Sequence, residues 1–107
     1  MTAMTLELAQ MLRSATKACK LMKVLSNPDR LMILCRLSKG ELCVGDIETE
    51  LGIEQPTLSQ QLTVLRQEDL VTTRREGKTI YYQFKNSPAL GVIGVLYNEY
   101  CEKEGKP

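Results

Sequence analysis

Apolar residues recur at helical spacing over residues 5–26, at Leu8, Met11, Leu12, Ala15, Cys19, Met22 and Leu25, which predicts an amphipathic first helix. Asn27 and Pro28 end it and open the next. An asparagine side chain can accept from the free amides at a helix start, and proline has no amide to satisfy in the first turn. Leu31, Leu34 and Cys35 then form one stripe, up to a break at Lys39 and Gly40. Val44, Ile47 and Leu51 predict a third, short helix over residues 44–51, stopped by Gly52, because glycine tolerates the left-handed conformation that ends helices. Pro56 opens a fourth, in which Leu58, Leu62 and Leu65 share one face before the polar run 66–69. Two short helices joined by a tight glycine-containing turn are the helix-turn-helix pattern.

Over residues 70–84 the period changes to two. Ile80, Tyr82 and Phe84 alternate with Thr79, Tyr81 and Gln83, and β-branched residues fill 71–73, so a hairpin is expected with Glu76 and Gly77 at its turn. A last helix opens at Ser87 and Pro88 and is apolar around most of its circumference, at Leu90, Val92, Ile93, Val95, Leu96, Tyr97, Tyr100 and Cys101. The winged core cannot cover all of that surface together with the stripe of the first helix, and a second copy of the chain is the simplest cover. The expected fold is therefore mainly α with a β-hairpin wing, a single winged helix-turn-helix DNA-binding domain over residues 1–107, dimeric through its N- and C-terminal helices.

Composition narrows the function by what it omits. The chain has no histidine, which removes the commonest general base and the commonest zinc ligand together. Its four cysteines have no CxxC spacing; a thiol enzyme would lack both that motif and an activating histidine. We therefore expect no enzyme, no cofactor and no metal site. No apolar run reaches membrane length and no secretory signal is legible, so a cytoplasmic protein with no membrane partner is expected. The net charge of +1 does not announce nucleic acid, but the hairpin region 70–85 carries four basic side chains against one acidic.

That local charge changes the reading of the fourth helix. To the sides of its leucine face or opposite it lie Thr57, Ser59, Gln60 and Thr63, with Gln55 at its mouth, and Gln61 is a further candidate for DNA contact. Glutamine can pair with both major-groove groups of adenine, and serine and threonine can bond bases or phosphates, so this polar uncharged face suits a helix lying in a groove about 12 Å wide. A solvated surface is the competing reading. The preceding turn-linked helix and the following basic hairpin favour DNA, with Arg74, Arg75 and Lys78 at phosphates or in the minor groove. A purely dimeric adaptor would leave both features without a role.

The strings SNPDRLMIL, GDIETELGIEQPTLSQQLTVLR and DLVTTRREGKTIYYQF, in this order, closely resemble the ArsR/SmtB family of bacterial winged-helix repressors over nearly the whole chain. The resemblance implies a homodimer, double-stranded operator DNA of imperfect palindromic sequence read by residues 55–67, and release when an inducer acts on the protein. Gln61 stands where many members have histidine, so base preference does not carry over. ELCVGDI resembles the ELCVCDL of arsenic-sensing members, but Gly45 replaces the second cysteine and leaves Cys43 a lone thiolate where soft metals want two or three. The pair Cys35 and Cys101 resembles the dithiol of the sulfide- and persulfide-responsive branch, which implies that reactive sulfur species bridge the two thiols and lower DNA affinity. The alternatives are a metal- or metalloid-responsive repressor with thiolate ligands and, for the cysteines themselves, burial as small apolar residues. Cys19 is expected in the core or at an interface, and Cys43 to be exposed without being essential.

Overall fold

Thr5 and Asn27 start the first two helices by the same device. Thr5 Oγ1 accepts from the Leu8 amide at 3.0 Å and Asn27 Oδ1 from the Arg30 amide at 3.1 Å, each satisfying a first-turn donor that has no partner inside the helix. The computed structural model describes residues 5–102. Helix α1 spans Leu6–Leu25 and α2 Pro28–Leu37, the latter ending three residues before the expected stop at Gly40. Strand β1 (Leu42–Cys43) leads into α3 (Val44–Leu51), which closes on Gly52 at φ 69°. Helix α4 (Thr57–Gln67), strands β2 (Val71–Glu76) and β3 (Thr79–Phe84), and helix α5 (Pro88–Leu96) follow, and a π-helical turn, Tyr97–Glu102, completes the described chain.

The core is built on α2. Its Ile33, Leu34 and Leu37 are buried together with Ile47 of α3, Leu58, Leu62 and Leu65 of α4, Tyr82 of β3, and Ala89 and Ile93 of α5. The leucine face expected on the fourth helix is thus the buried one, which fixes the rotation of its polar side toward solvent. Among the described residues, no helix is long and apolar enough to cross a membrane.

The passage from α4 to the wing is made by Asp69 at φ 63°. The Leu70 amide reaches back to the Leu65 carbonyl at 2.9 Å and the Asp69 amide to Arg66 at 3.0 Å, while Leu65 and Leu70 are both buried. This is the Schellman helix ending with its apolar clasp, with aspartate in the left-handed position that glycine usually takes. The Asp69 carboxylate is in turn 2.5 Å from the Lys85 ammonium at the far end of β3.

Four details differ from the sequence expectation. The sheet has three antiparallel strands in the order β1-β3-β2, with Leu42 opposite Tyr82 and Cys43 opposite Tyr81; a two-residue strand is too short to show a period. The hairpin turn is Gly77 and Lys78, since Glu76 still pairs with Thr79, and Gly77 at φ 64° takes the left-handed first loop position. Ile80 is exposed although it alternates with buried Tyr82, because it lies toward the tip, beyond the body of the domain. The last helix is not uniform: the bonding widens to the π pattern at Tyr97, and this places Cys101 on a local distortion of the kind often found at functional sites.

Candidate functional site

Ser59, Gln60 and Thr63 are exposed along α4, opposite Leu58, Leu62 and Leu65. Thr63 Oγ1 donates to the Ser59 carbonyl at 2.8 Å. Thr57 is half-buried at the first turn. Two glutamines of the expected reading face have structural tasks. Gln55 Oε1 accepts from the Ser59 amide at 3.1 Å and from its hydroxyl at 2.6 Å, serving as the cap that Pro56 cannot supply. Gln61 turns toward α2, where its Oε1 accepts from Arg30 Nη1 at 2.9 Å; Arg30 Nε also donates to the Val24 carbonyl at 2.7 Å. One arginine therefore ties the end of α1 to the side of α4. Arg66 is exposed three residues beyond Thr63 and seven beyond Ser59, on the same helix face. In the sequence Arg66 belongs to the polar run after the leucine face, and its helical offset from Ser59 is the signal that marks it.

The wing divides its cations between two uses. Arg74 donates from Nε to both Glu41 oxygens at 3.0 Å and lies 2.5 Å from Glu41 through Nη2. Its Nη1 is 2.6 Å from Glu76, and its guanidinium stacks 4.4 Å from the Tyr81 ring centroid. The hydrogen bonds from Arg74 hold the Glu41 carboxyl below the usual carboxylate range, and both carboxylates raise the arginine. Arg75 and Lys78 are exposed on the outer wing, and among the described residues neither takes part in an ion pair or side-chain hydrogen bond. They remain available to an external anion. Glu41 is 33 positions from its partner, so no local pattern in the sequence marks it.

Cys35 and Cys101 line one groove. It measures about 350 Å³ and is walled by Leu31, Met32, Leu51 and Tyr97, with Arg36 and Lys39 at its edge. Cys35 is half-buried on α2, Cys101 is exposed on the terminal π turn, and both thiols are free. Burial pushes the Cys35 thiol up, the neighbouring Cys101 adds to this, and the Lys39 ammonium opposes both. Arg36 is occupied by Glu50, at 2.7 Å through Nε. Lys39 Nζ donates to the Tyr97 hydroxyl at 2.8 Å and sits 4.4 Å from that ring's centroid. Cys43 lies elsewhere, on β1 at the start of α3, in a separate depression with Gly45, Lys78 and Ile80. Cys19 is exposed on α1 rather than in the core of this chain; the helix enters the core at Val24 and Leu25, with Leu21 packed partly against it. Among the described residues, no group of three or more acidic or cysteine side chains could hold a metal ion.

The family described as bacterial regulatory protein, arsR family, matches residues 27–73, the span from the start of α2 into β2. The chain is 46% identical over 97 residues to the biofilm growth-associated repressor of Agrobacterium fabrum, covering 91% of this chain and 83% of that protein. It is 37% identical to the transcriptional activator HlyU of Vibrio cholerae, over 91% of this chain and 90% of that one; the structure of reduced HlyU from that organism superposes with a TM-score of 0.82, covering 86% and 97% of the two chains. The crystal structure of the transcriptional repressor BigR from Xylella fastidiosa, at 42% identity, superposes with a TM-score of 0.83 over 92% of this chain and 98% of the other. These are winged helix-turn-helix regulators of transcription, and none is an enzyme.

Proposed function

The chain belongs to the arsR family of bacterial regulatory proteins, and on that premise we propose that it is a homodimeric repressor released from operator DNA when reactive sulfur species bridge Cys35 and Cys101. DNA binding and transcriptional regulation come with the family; the inducer is the further step. The observation that carries it is the shared groove: two free thiols, one half-buried and one exposed, face a common apolar cleft from elements far apart in the chain. A cytosolic thiol pair is reduced by default and bridges only under a specific oxidant.

The chemistry balances with a persulfide, RS–SH, as the oxidant. The exposed Cys101 thiolate takes the terminal sulfur, the RS–S bond breaks, and RS⁻ leaves and is protonated. The Cys35 thiolate then attacks Sγ of Cys101, forms the Cys35–Cys101 bond and expels HS⁻. Two thiols are oxidised to one disulfide, and the transferred sulfur is reduced to hydrogen sulfide. If Cys35 is persulfidated by a second donor first, the same attack retains one extra sulfur, which relaxes the demand that the two Cα atoms lie within about 7 Å.

Operator contact is assigned to Ser59, Gln60 and Thr63 with Thr57 at the first turn, and phosphate contact to Arg75, Lys78 and Arg66. Gln55 and Gln61 shape this surface through the cap and the Arg30 bond, and Arg74 sets the pose of the wing. Dimerisation through α1 and α5 is supported by the apolar surface they leave open, with Met11 65% and Val95 67% exposed, and it sets two recognition helices about 34 Å apart on a near-palindrome.

A gel shift on the DNA upstream of the gene, with reduced and with tetrasulfide-treated protein, tests the reading. Treatment is expected to weaken binding about five- to 150-fold, the range of a typical allosteric coupling, and peptide mass spectrometry should show a Cys35–Cys101 product. Cys35→Ser and Cys101→Ser proteins should bind DNA and ignore tetrasulfide, whereas Cys43→Ser should respond like wild type. Loss of response in Cys43→Ser alone, or release of the Cys35→Ser/Cys101→Ser protein, would overturn the dithiol in favour of a thiolate-bound metalloid or another thiol.

A further inference from the structure

Resting on the dithiol reading, we propose that Lys39 is a positioning residue of the switch: its ammonium, bonded to the Tyr97 hydroxyl and seated over that ring, pins the turn carrying Cys101 to α2 and supplies the cation beside Cys35. Three observations meet at this side chain. Lys39 lies in the turn just beyond the Ser38 cap of α2, four residues after Cys35. Tyr97, its partner at 2.8 Å, is the first residue of the π turn and Cys101 lies four residues on. Both residues line the groove that the two thiols share.

The chemistry needs such a group. Bridging requires Cys35 as a thiolate at the moment of attack, since the thiolate is the nucleophile. Burial and the approach of Cys101 both disfavour that charge. Among the described residues, the charged and titratable side chains lining the groove with Cys35 are Arg36 from α2, Lys39 just beyond its C-cap, and Tyr97 and Cys101 from the π turn; α3 contributes apolar Leu51 to the wall and Glu50 behind Arg36. Glu50 neutralises Arg36. Lys39 bonds to the Tyr97 hydroxyl and, among the described residues, has no carboxylate partner, so its charge is open to the thiolate. The contact with Tyr97 also restrains the position of Cys101, so one residue serves both thiols.

The test follows Cys35 and Cys101 separately in the full chain. Iodoacetamide alkylation of Cys35, resolved by peptide mass spectrometry from about pH 6 to about pH 10, reports its thiolate. Lys39→Gln is expected to move that profile upward and to slow alkylation near neutral pH about three- to tenfold, up to one pH unit's worth, while Lys39→Arg restores it. Tyr97→Phe keeps ring and ammonium and removes the hydroxyl; the Cys35 profile should stay in place while bridging by tetrasulfide slows. A Lys39→Gln profile that overlays the wild type overturns the proposal, and so does a Tyr97→Phe bridging rate equal to the wild-type rate. If wild-type protein gives no Cys35–Cys101 product with tetrasulfide, the dithiol reading fails, and the alkylation profiles still decide the role of Lys39.

Discussion

Glu41 holds Arg74: the guanidinium meets both carboxylate oxygens, at 3.0 Å through Nε and 2.5 Å through Nη2, and so fastens β2 of the wing to the segment joining α2 to β1. An arginine engaged in this way, with Glu76 on its remaining side and Tyr81 beneath it, has each of its three nitrogens bonded within the protein. Arg75 and Lys78 have no such partner among the described residues.

Salt dependence should separate these arginines. Each phosphate contact removed lowers the slope of log Kobs against log salt by about one unit. Arg75→Ala and Lys78→Ala are each expected to flatten the slope by about that much, measured by fluorescence anisotropy on operator and on random duplex. Arg74→Ala should weaken binding through a looser wing and leave the slope in place. An Arg74→Ala slope as flat as that of Arg75→Ala would return Arg74 to the phosphate contacts.

The same pair makes a prediction in pH. The Glu41 carboxyl is held low in the folded protein, first by the Arg74 hydrogen bonds. A carboxyl with a depressed folded pKa contributes stability above its ordinary value of 4.5, and that contribution disappears as pH falls through the lower folded value. Glu41→Gln should therefore reduce the loss of melting temperature on acidification below about pH 4.5 while lowering the melting temperature slightly at neutral pH, a small effect because the pair is solvated. Parallel acid limbs for the two proteins would refute the linkage.

Gln60 and Gln61 are adjacent and should behave differently. Gln60 is exposed, so Gln60→Ala is expected to relax operator selectivity with the melting temperature nearly unchanged. Gln61→Ala removes the acceptor of a half-buried arginine and should cost about 1.5 to 3 kcal/mol in urea unfolding, the range for a hydrogen bond to a charged group. Equal stability of the two variants would place Gln61 on the reading face after all.

The terminal helices should carry the dimer. Leu12→Glu on α1 or Val95→Glu on α5 replaces an exposed apolar side chain and leaves the buried core untouched. Each is expected to shift the protein toward monomer in sedimentation velocity and to weaken operator binding steeply. Unchanged sedimentation of both variants would move the dimer interface elsewhere.

Much of the fold is legible because short-range physics writes it. The Asn27 cap, the left-handed Gly52 and the leucine face of α4 each follow from residues within one or two turns. The Asp69 helix ending was not legible, since aspartate carries no strong signal for a left-handed position; the clasp of Leu65 and Leu70 imposes it. Nor was β1, whose two residues are strand only because β3 lies beside them. Around the fourth helix the sequence marks Gln55, Gln60 and Gln61 all as candidates for DNA contact, whereas in the fold Gln55 caps the helix and Gln61 bonds Arg30.

What the sequence determined by itself is the set of elements and their faces, because hydrophobic period, caps and turn residues act over a few positions. Only the tertiary structure decided which polar groups remain free to act. Arg74 and Arg75 are neighbours of the same type, yet one is bound by a carboxylate 33 positions away and the other faces solvent. Cys35 and Cys101 share a groove only because α5 packs its Ile93 into the core and continues into the π turn toward α2. The availability of a charge or a thiol depends on distance and burial in space, and chain folding, not local pattern, sets both.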